Sequence, residues 1–90
     1  MKLEIITPQK IFFSGNVDSV TLPGVSGSFS VLENHAPLIA SLGKGVITYK
    51  IKENGIRDFS IESGLCEVNN NEVYVCVEHI NNLKSDGSAK

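Results

Sequence analysis

The stretch Val46–Lys52, which reads VITYKIK, alternates between apolar and polar side chains. The apolar Ile47, Tyr49 and Ile51 fall on odd positions, whereas Thr and Lys occupy the even positions from 48 to 52. Because successive side chains of a β-strand point to opposite faces of its sheet, this pattern predicts an antiparallel strand with one buried and one solvated face.

The same period of two runs through most of the chain. It predicts strands at residues 3–7, 11–14, 17–22, 28–32, 38–42, 46–52, 58–62, 64–68 and 72–78. Turn signals separate them, namely Thr7-Pro8-Gln9, Pro23-Gly24, Gly43-Lys44-Gly45, Glu53-Asn54-Gly55 and Asn69-Asn70-Asn71. No segment before His79 has helical periodicity. We therefore predict an all-β sandwich or flattened barrel at residues 1–80 and a flexible tail at residues 81–90.

The register of the hairpin around Glu53-Asn54-Gly55 can be tested against the pattern. A two-residue Asn54-Gly55 turn would set an inward side chain opposite an outward one, since a slip of one residue reverses the faces. A three-residue loop with Gly55 in a left-handed conformation pairs Tyr49 with Phe59 and keeps every apolar side chain on one face. We predict this second register.

The last hairpin is predicted to turn at Asn70-Asn71, a suitable pair for a type I′ turn. Val68 then faces Val73, and Cys66 faces Val75. In this register Cys66 points to the core and Cys76 to the opposite side. We therefore expect two unpaired thiols, because a disulfide needs the two Cβ atoms close together.

Length and charge exclude several classes of protein. The 90 residues suffice for one domain, and the formal net charge of −2 comes with scattered Lys and Arg. Without a basic stripe we expect no nucleic-acid partner. No apolar run approaches the roughly 20 residues of a membrane-spanning helix. The start of the chain lacks the pattern of a signal peptide, so we expect an intracellular, reducing compartment with free thiols.

The sequence offers no recognisable catalytic constellation, and no catalytic, cofactor-binding or metal-binding residue is predicted. Gly43-Lys44-Gly45 lacks the full spacing of a phosphate-binding loop and reads as a tight turn. Two histidines and two diverging cysteines do not form a metal-ligand set. His35 would need a buried carboxylate or nucleophile beside it to act in catalysis. We therefore expect no enzyme activity from the chain alone, and negligible ATP binding.

One segment resembles a known family. Gly27–Leu38, GSFSVLENHAPL, is similar to the G-x-[FL]-x-[VI]-x-x-x-H-A-P-[LM] stretch of the epsilon subunit of bacterial F-type ATP synthase, the equivalent of the mitochondrial delta chain. Phe13-Ser14-Gly15, Gly45-Val46-Ile47 and Phe59–Val68 match further family motifs in the same order, with Ser63 in place of a family glycine. The resemblance covers about residues 2–80.

This resemblance implies a ten-stranded sandwich of two five-stranded antiparallel sheets. It also implies a non-catalytic rotor subunit of the central stalk, which links the gamma subunit to the membrane c-ring of a proton-translocating synthase. The expected location is peripheral, on the cytoplasmic face of the bacterial inner membrane. Relatives add a C-terminal helical hairpin, for which the residues after 80 leave no room, so inhibition or ATP binding by a hairpin is not expected.

The resemblance also implies contact residues. Thr7, Pro8 and His35 are assigned to the interface with gamma, and Ser26-Gly27-Ser28 to the polar loops of the c-ring. We expect exposed apolar surface near the Thr7-Pro8 turn and the turn through His35. The alternative is a free-standing β-sandwich module that binds a small ligand or peptide, which would need a concave pocket with convergent polar groups.

Overall fold

The computed structural model describes residues 1–82, and within them the fold is built from strands, as predicted. Nine strands have five to seven residues and the tenth has three. In chain order they are β1 (Lys2–Ile6), β2 (Ile11–Asn16), β3 (Ser19–Gly24), β4 (Gly27–Leu32), β5 (Leu38–Leu42), β6 (Gly45–Ile51), β7 (Gly55–Ile61), β8 (Gly64–Asn69), β9 (Glu72–Val77) and β10 (Ile80–Asn82). The only helical element in this part of the chain is the one-turn 3-10 helix Lys52–Asn54.

The ten strands form one continuous sheet that curls into two five-stranded halves, which agrees with the predicted all-β sandwich or flattened barrel. We call the halves sheet I and sheet II. Sheet I has the order β10-β7-β6-β3-β4, and sheet II has the order β5-β8-β9-β1-β2. A single residue pair, Gly24 with Leu42, joins them at one corner. Neighbouring strands are antiparallel except β1 and β9, which run parallel, so the expectation of purely antiparallel sheets is wrong at this pair.

The inward side chains of both sheets meet in an apolar core. Its largest fully buried members are Phe59, Leu3, Ile5, Leu22, Ile47 and Ile61. A register shift in the β1–β2 pairing turns two adjacent aromatic residues, Phe12 and Phe13, towards this core. Their rings lie 5.0 Å from Phe59 and 4.6 Å from Tyr49, measured between centroids. Burial of alternate positions therefore explains the period of two in the sequence.

The β6–β7 hairpin keeps the predicted faces but not the predicted register. Ile47 pairs with Phe59, and Tyr49 pairs with Arg57, a slip of two residues from the prediction. The loop is the 3-10 helix Lys52–Asn54, and Gly55, with φ of 88°, already pairs with Ile51. A slip of two residues leaves every side chain on its original face, so the predicted core residues stay buried.

The β8–β9 hairpin has the predicted register, with Val68 opposite Val73 and Cys66 opposite Val75. Asn70 and Asn71 have φ of 53° and 62°, as a type I′ turn requires. Both cysteines are free, and Cys66 is buried whereas Cys76 is exposed, as predicted.

Two boundaries differ from the sequence prediction. Pro23-Gly24 lies inside β3, and the chain turns at residues 25–26 instead, because Gly24 pairs with Gly27. At the other end, Ile80–Asn82 forms a strand against β7 that was not predicted. Of the tail predicted at residues 81–90, residues 83–90 lie outside the described part of the chain.

Candidate functional site

The turns around sheet II lie at two opposite ends. Thr7-Pro8 follows the last residue of β1 and lines one open groove together with Ser63 and Glu78. We call this the Pro8 end. The turn through His35 lies beside the start of β1, because the Asn34 N–H donates to the Oδ1 of Asn71 over 2.7 Å, and the Asn71 carbonyl accepts from the Lys2 N–H. We call this the His35 end.

The outer face of sheet II carries exposed apolar side chains near the Pro8 end. Leu65 on β8 pairs with Cys76 on β9. On its other side Cys76 pairs with Ile6 on β1, and Ile6 pairs with Ile11 on β2. Ile11 is 58% exposed and Leu65 is 47% exposed. These four residues, Leu65, Cys76, Ile6 and Ile11, form one contiguous line across four strands, which we call the apolar row.

The apolar row continues towards the tip of the β3–β4 hairpin. Leu65 pairs with Ser41 on β5, and the Val25 N–H donates to the Ser41 carbonyl over 3.0 Å. Val25 is 67% exposed, and Ile39, two residues before Ser41, is 71% exposed. Isolated exposed apolar residues are common, but a contiguous set of this kind is typical of a protein–protein contact.

Negative charge borders the apolar row on the same face. In the next row towards the His35 end, Tyr74 lies between Glu67 on β8 and Glu4 on β1. The Tyr74 hydroxyl donates to Glu72 Oε1 over 2.7 Å. This hydrogen bond raises the pKa of Tyr74, and the charges of Glu72, Glu4 and Glu67 raise it further. A partner surface that is apolar in part and basic in part would complement this face.

An open groove of about 470 Å³ lies at the Pro8 end of the apolar row. Its walls include Ile6, Pro8, Leu65 and Cys76, with Thr7, Ser63 and Glu78 as polar members. Both the volume and the mostly apolar lining lie within the range of small-molecule sites. Such a groove can accept one large apolar side chain from a partner.

The Ser26-Gly27-Ser28 segment is exposed at the tip of the β3–β4 hairpin. Ser26 lies in the turn, whereas Gly27 and Ser28 begin β4. The tip adjoins the apolar row through Val25, so it lies at the Pro8 end of sheet II. The small side chains leave room for a neighbouring loop to approach the backbone closely.

His35 stands in a well-defined turn at the opposite end. Its N–H donates to the Leu32 carbonyl over 3.1 Å, and Asn34 has a positive φ of 64°. Its ring Nδ1 lies 2.7 Å from the carbonyl oxygen of Ala36. No group of three metal-ligating side chains occurs among residues 1–82. In the same part of the chain no helix is long and apolar enough to cross a membrane.

The structure brings some predicted contact residues together and separates others. Thr7 and Pro8 share their end with Ser26-Gly27-Ser28. His35 lies at the far end of β1, whose five residues span roughly 17 Å. A single contact that includes Thr7, Pro8 and His35 must therefore extend along the whole length of sheet II.

Sequence reasoning did not identify the apolar row. A signal was present, because Leu65 is a large apolar residue at a position that the register of the last hairpin directs away from the core. Ile11 gave a second signal, because it is a large apolar residue that precedes two aromatic residues of the core. Their proximity depends on the pairing of β1 with β9, which the sequence pattern does not reveal.

Comparison with known proteins identifies the family. Residues 1–82 match the family described as "ATP synthase, Delta/Epsilon chain, beta-sandwich domain". The ATP synthase epsilon chain of Chlorobium limicola is 42% identical over 79 residues, which cover 88% of this chain and 90% of that one. The epsilon chain of Leptospira borgpetersenii is 41% identical over 79 residues, but these cover 61% of its length.

Solved structures agree on the fold. A chain from the central stalk and c-ring structure of Tetrahymena thermophila mitochondrial ATP synthase matches with a TM-score of 0.82 at 16% identity, covering 99% of this chain and 71% of that one. A chain from the Euglena gracilis mitochondrial ATP synthase matches with a TM-score of 0.85 at 18% identity, covering 91% of this chain and 52% of that one. The sandwich, the sequence match and the relatives lead to one conclusion: the chain belongs to the delta/epsilon chain family of ATP synthase.

Proposed function

We propose that this chain is a non-catalytic subunit of the central stalk of an F-type ATP synthase, where it connects the gamma subunit to the c-ring. In this role it rotates with gamma, supports the coupling of proton flow to ATP synthesis, and lies at the cytoplasmic face of the bacterial inner membrane. Family membership supports the complex, and the apolar row is the observation that carries the proposed contact with gamma.

The apolar row fits a permanent contact better than a transient one. Obligate interfaces are larger and more apolar than transient ones, and their centres contain few charged residues. Here the centre is Leu65, Cys76 and Ile6, whereas the acidic side chains lie to one side. The tip at Ser26-Gly27-Ser28 adjoins this surface, so gamma and the c-ring loops could be contacted by adjacent parts of the molecule.

The two cysteines provide a direct test of the contact. Cys76 lies in the apolar row and is exposed, whereas Cys66 is buried and its burial raises its pKa to about 11. The thiolate is the reactive form, so Cys66 should stay unmodified in the folded chain. We expect iodoacetamide to modify Cys76 in the free chain and much more slowly after addition of purified gamma. An unchanged rate at saturating gamma would refute this placement.

Matched substitutions test the same surface by affinity. Leu65→Lys places a charge within the apolar row, whereas Val46→Lys places one on sheet I at a residue of similar exposure, 42% against 47%. We expect Leu65→Lys to weaken gamma binding at least tenfold, as loss of a central apolar residue does, and Val46→Lys to have little effect. Equal affinities for both variants would reject the apolar row as the gamma contact.

The ring contact needs a separate measurement. A Ser28→Arg variant should keep its affinity for gamma and bind an isolated c-ring more weakly than the original chain does. Loss of gamma binding by Ser28→Arg, with normal binding by Leu65→Lys, would reverse the two assignments. The alternative of a ligand-binding module predicts instead that a small molecule or peptide, and not gamma, protects Cys76.

A further inference from the structure

One side chain joins two distant turns at the His35 end. The Oδ1 of Asn71 accepts a hydrogen bond from the Asn34 N–H over 2.7 Å. Its Nδ2 donates to Glu33 Oε2 over 3.1 Å. Asn71 belongs to the β8–β9 turn, whereas Glu33 and Asn34 belong to the connection between β4 and β5. A single amide thus uses both its acceptor and its donor to hold the neighbouring turn.

The amide of Asn71 is itself held by its hairpin. Asn71 occupies the second position of the type I′ turn with φ of 62°, and its carbonyl accepts from the Lys2 N–H over 3.3 Å. The same side-chain hydrogen bond is the main cause that lowers the pKa of Glu33, followed by the charge of the N-terminal ammonium. The carboxylate that Asn71 contacts is therefore stabilised in its charged form, which keeps it an acceptor.

The turn that Asn71 contacts continues directly into His35, whose ring Nδ1 lies 2.7 Å from the carbonyl oxygen of Ala36. A carbonyl oxygen only accepts, so the 2.7 Å contact with Ala36 places the hydrogen of a neutral imidazole on Nδ1. Nε2 then carries the lone pair. His35 directly follows Asn34, so the hydrogen bond to Asn71 acts one residue from the imidazole.

We propose that Asn71 is a positioning residue for His35, and that it presets the turn so that the imidazole presents Nε2 as an acceptor to a hydrogen-bond donor on the gamma subunit. The identity of the partner rests on the proposed function, whereas the arrangement of Asn71 and His35 belongs to this chain alone. The donor on gamma is a lysine, arginine, hydroxyl or backbone N–H, since each donates to a neutral imidazole nitrogen.

The test uses two matched glycine variants of the same turn. Asn71→Gly removes the side-chain amide that contacts Glu33 and Asn34, and the control Asn70→Gly removes the neighbouring side-chain amide. Glycine accepts the positive φ at both positions. In the isolated chain, a long-range ¹H–¹⁵N spectrum distinguishes the two tautomers of His35, with His79 as the reference histidine. We expect the Nδ1–H form in the original chain and in Asn70→Gly, and a mixture of tautomers in Asn71→Gly.

Gamma binding then separates positioning from a general effect on folding. Asn71→Gly should weaken binding roughly five- to tenfold, the effect of one well-placed hydrogen bond, and Asn70→Gly should not. In a His35→Ala background, Asn71→Gly should cause no further loss, because it acts through His35. Additive losses, or an Nε2–H tautomer in the original chain, would overturn the proposal. If gamma fails to bind the original chain, the proposed function fails, and the tautomer measurement still decides whether Asn71 sets His35.

Discussion

A Gly64→Ala variant tests how tightly the chain is packed at the first residue of β8, between β5 and β9. The Cβ of a Gly64→Ala variant would lie 2.6 Å from the carbonyl oxygen of Cys76 and 3.0 Å from Val77 Cγ1. Gly64 pairs with Leu42 on one side and with Val77 on the other, so its backbone cannot shift without disturbing both pairings. Overpacking of this kind costs about 1–3 kcal/mol.

Gly43→Ala is the matched control for this prediction. Its Cβ would lie 3.6 Å from Val25 Cγ1, an ordinary contact, and Gly43 does not have a positive φ. Replacing such a glycine usually stabilises a protein by about 0.4–1 kcal/mol, through the unfolded state. In urea unfolding with a slope of about 1 kcal/mol per molar, Gly64→Ala should lower the midpoint by roughly 1–3 M and Gly43→Ala should not. Equal midpoints for the two variants would refute the reasoning.

Three further predictions follow from the core and its thiols. A thiol reagent such as dithionitrobenzoate should titrate one cysteine in the folded chain and two in urea; two fast thiols in the folded chain would contradict the burial of Cys66. Because burial raises the pKa of Cys66 from 9.0 to about 11, the unfolded thiol ionises first, so stability should fall as pH rises from 9 to 11. A Cys66→Ala variant should lose the part of this fall that begins at pH 9, whereas the raised pKa values of Tyr49 and Tyr74 preserve a fall above pH 10. Phe59→Ala should cost about 3–5 kcal/mol in urea unfolding, since its fully buried ring contacts Phe12 and Tyr49, and a loss under 1 kcal/mol would contradict this.

The sequence predicted the strands well because each has one buried face. Predicted and observed bounds agree within two residues for most strands, and β5 agrees at both ends. The β6–β7 hairpin shows the limit of this reasoning. Alternation distinguishes registers that differ by one residue but not those that differ by two, because the latter bury the same side chains. The choice between them was made by the 3-10 loop and Gly55, a local backbone preference that alternation does not encode.

The family motif carries a related lesson at Ser63 and Gly64. Ser63 replaces a family glycine and is exposed, so a side chain there meets no obstacle. Gly64 is retained, and its neighbours leave no space for a Cβ. Two adjacent glycine positions in a motif can thus differ in whether they accept a side chain, and only the three-dimensional contacts show which of them does.

The two features of the candidate site that the sequence did not predict depend on contacts between distant segments. The apolar row requires β1 to lie beside β9, and the hydrogen bond in the turn before His35 requires Asn71 to lie beside Asn34. Neither pairing connects strands that are neighbours in the chain. A pattern of alternation assigns each residue to a face, but it does not state which strands share that face.

The separation of the two ends has a mechanical consequence for the proposed role. A subunit that must turn with gamma has to resist tilting as well as detachment. A contact confined to the Pro8 end would act as a pivot, because the far end of the sandwich would be free to swing. A second contact at His35, roughly 17 Å away along β1, would oppose that swing with a lever arm as long as the sheet. This would explain why Asn34, the residue before His35, donates a hydrogen bond to Asn71 of another hairpin, since a contact at the end of a lever resists tilting only if its turn is rigid.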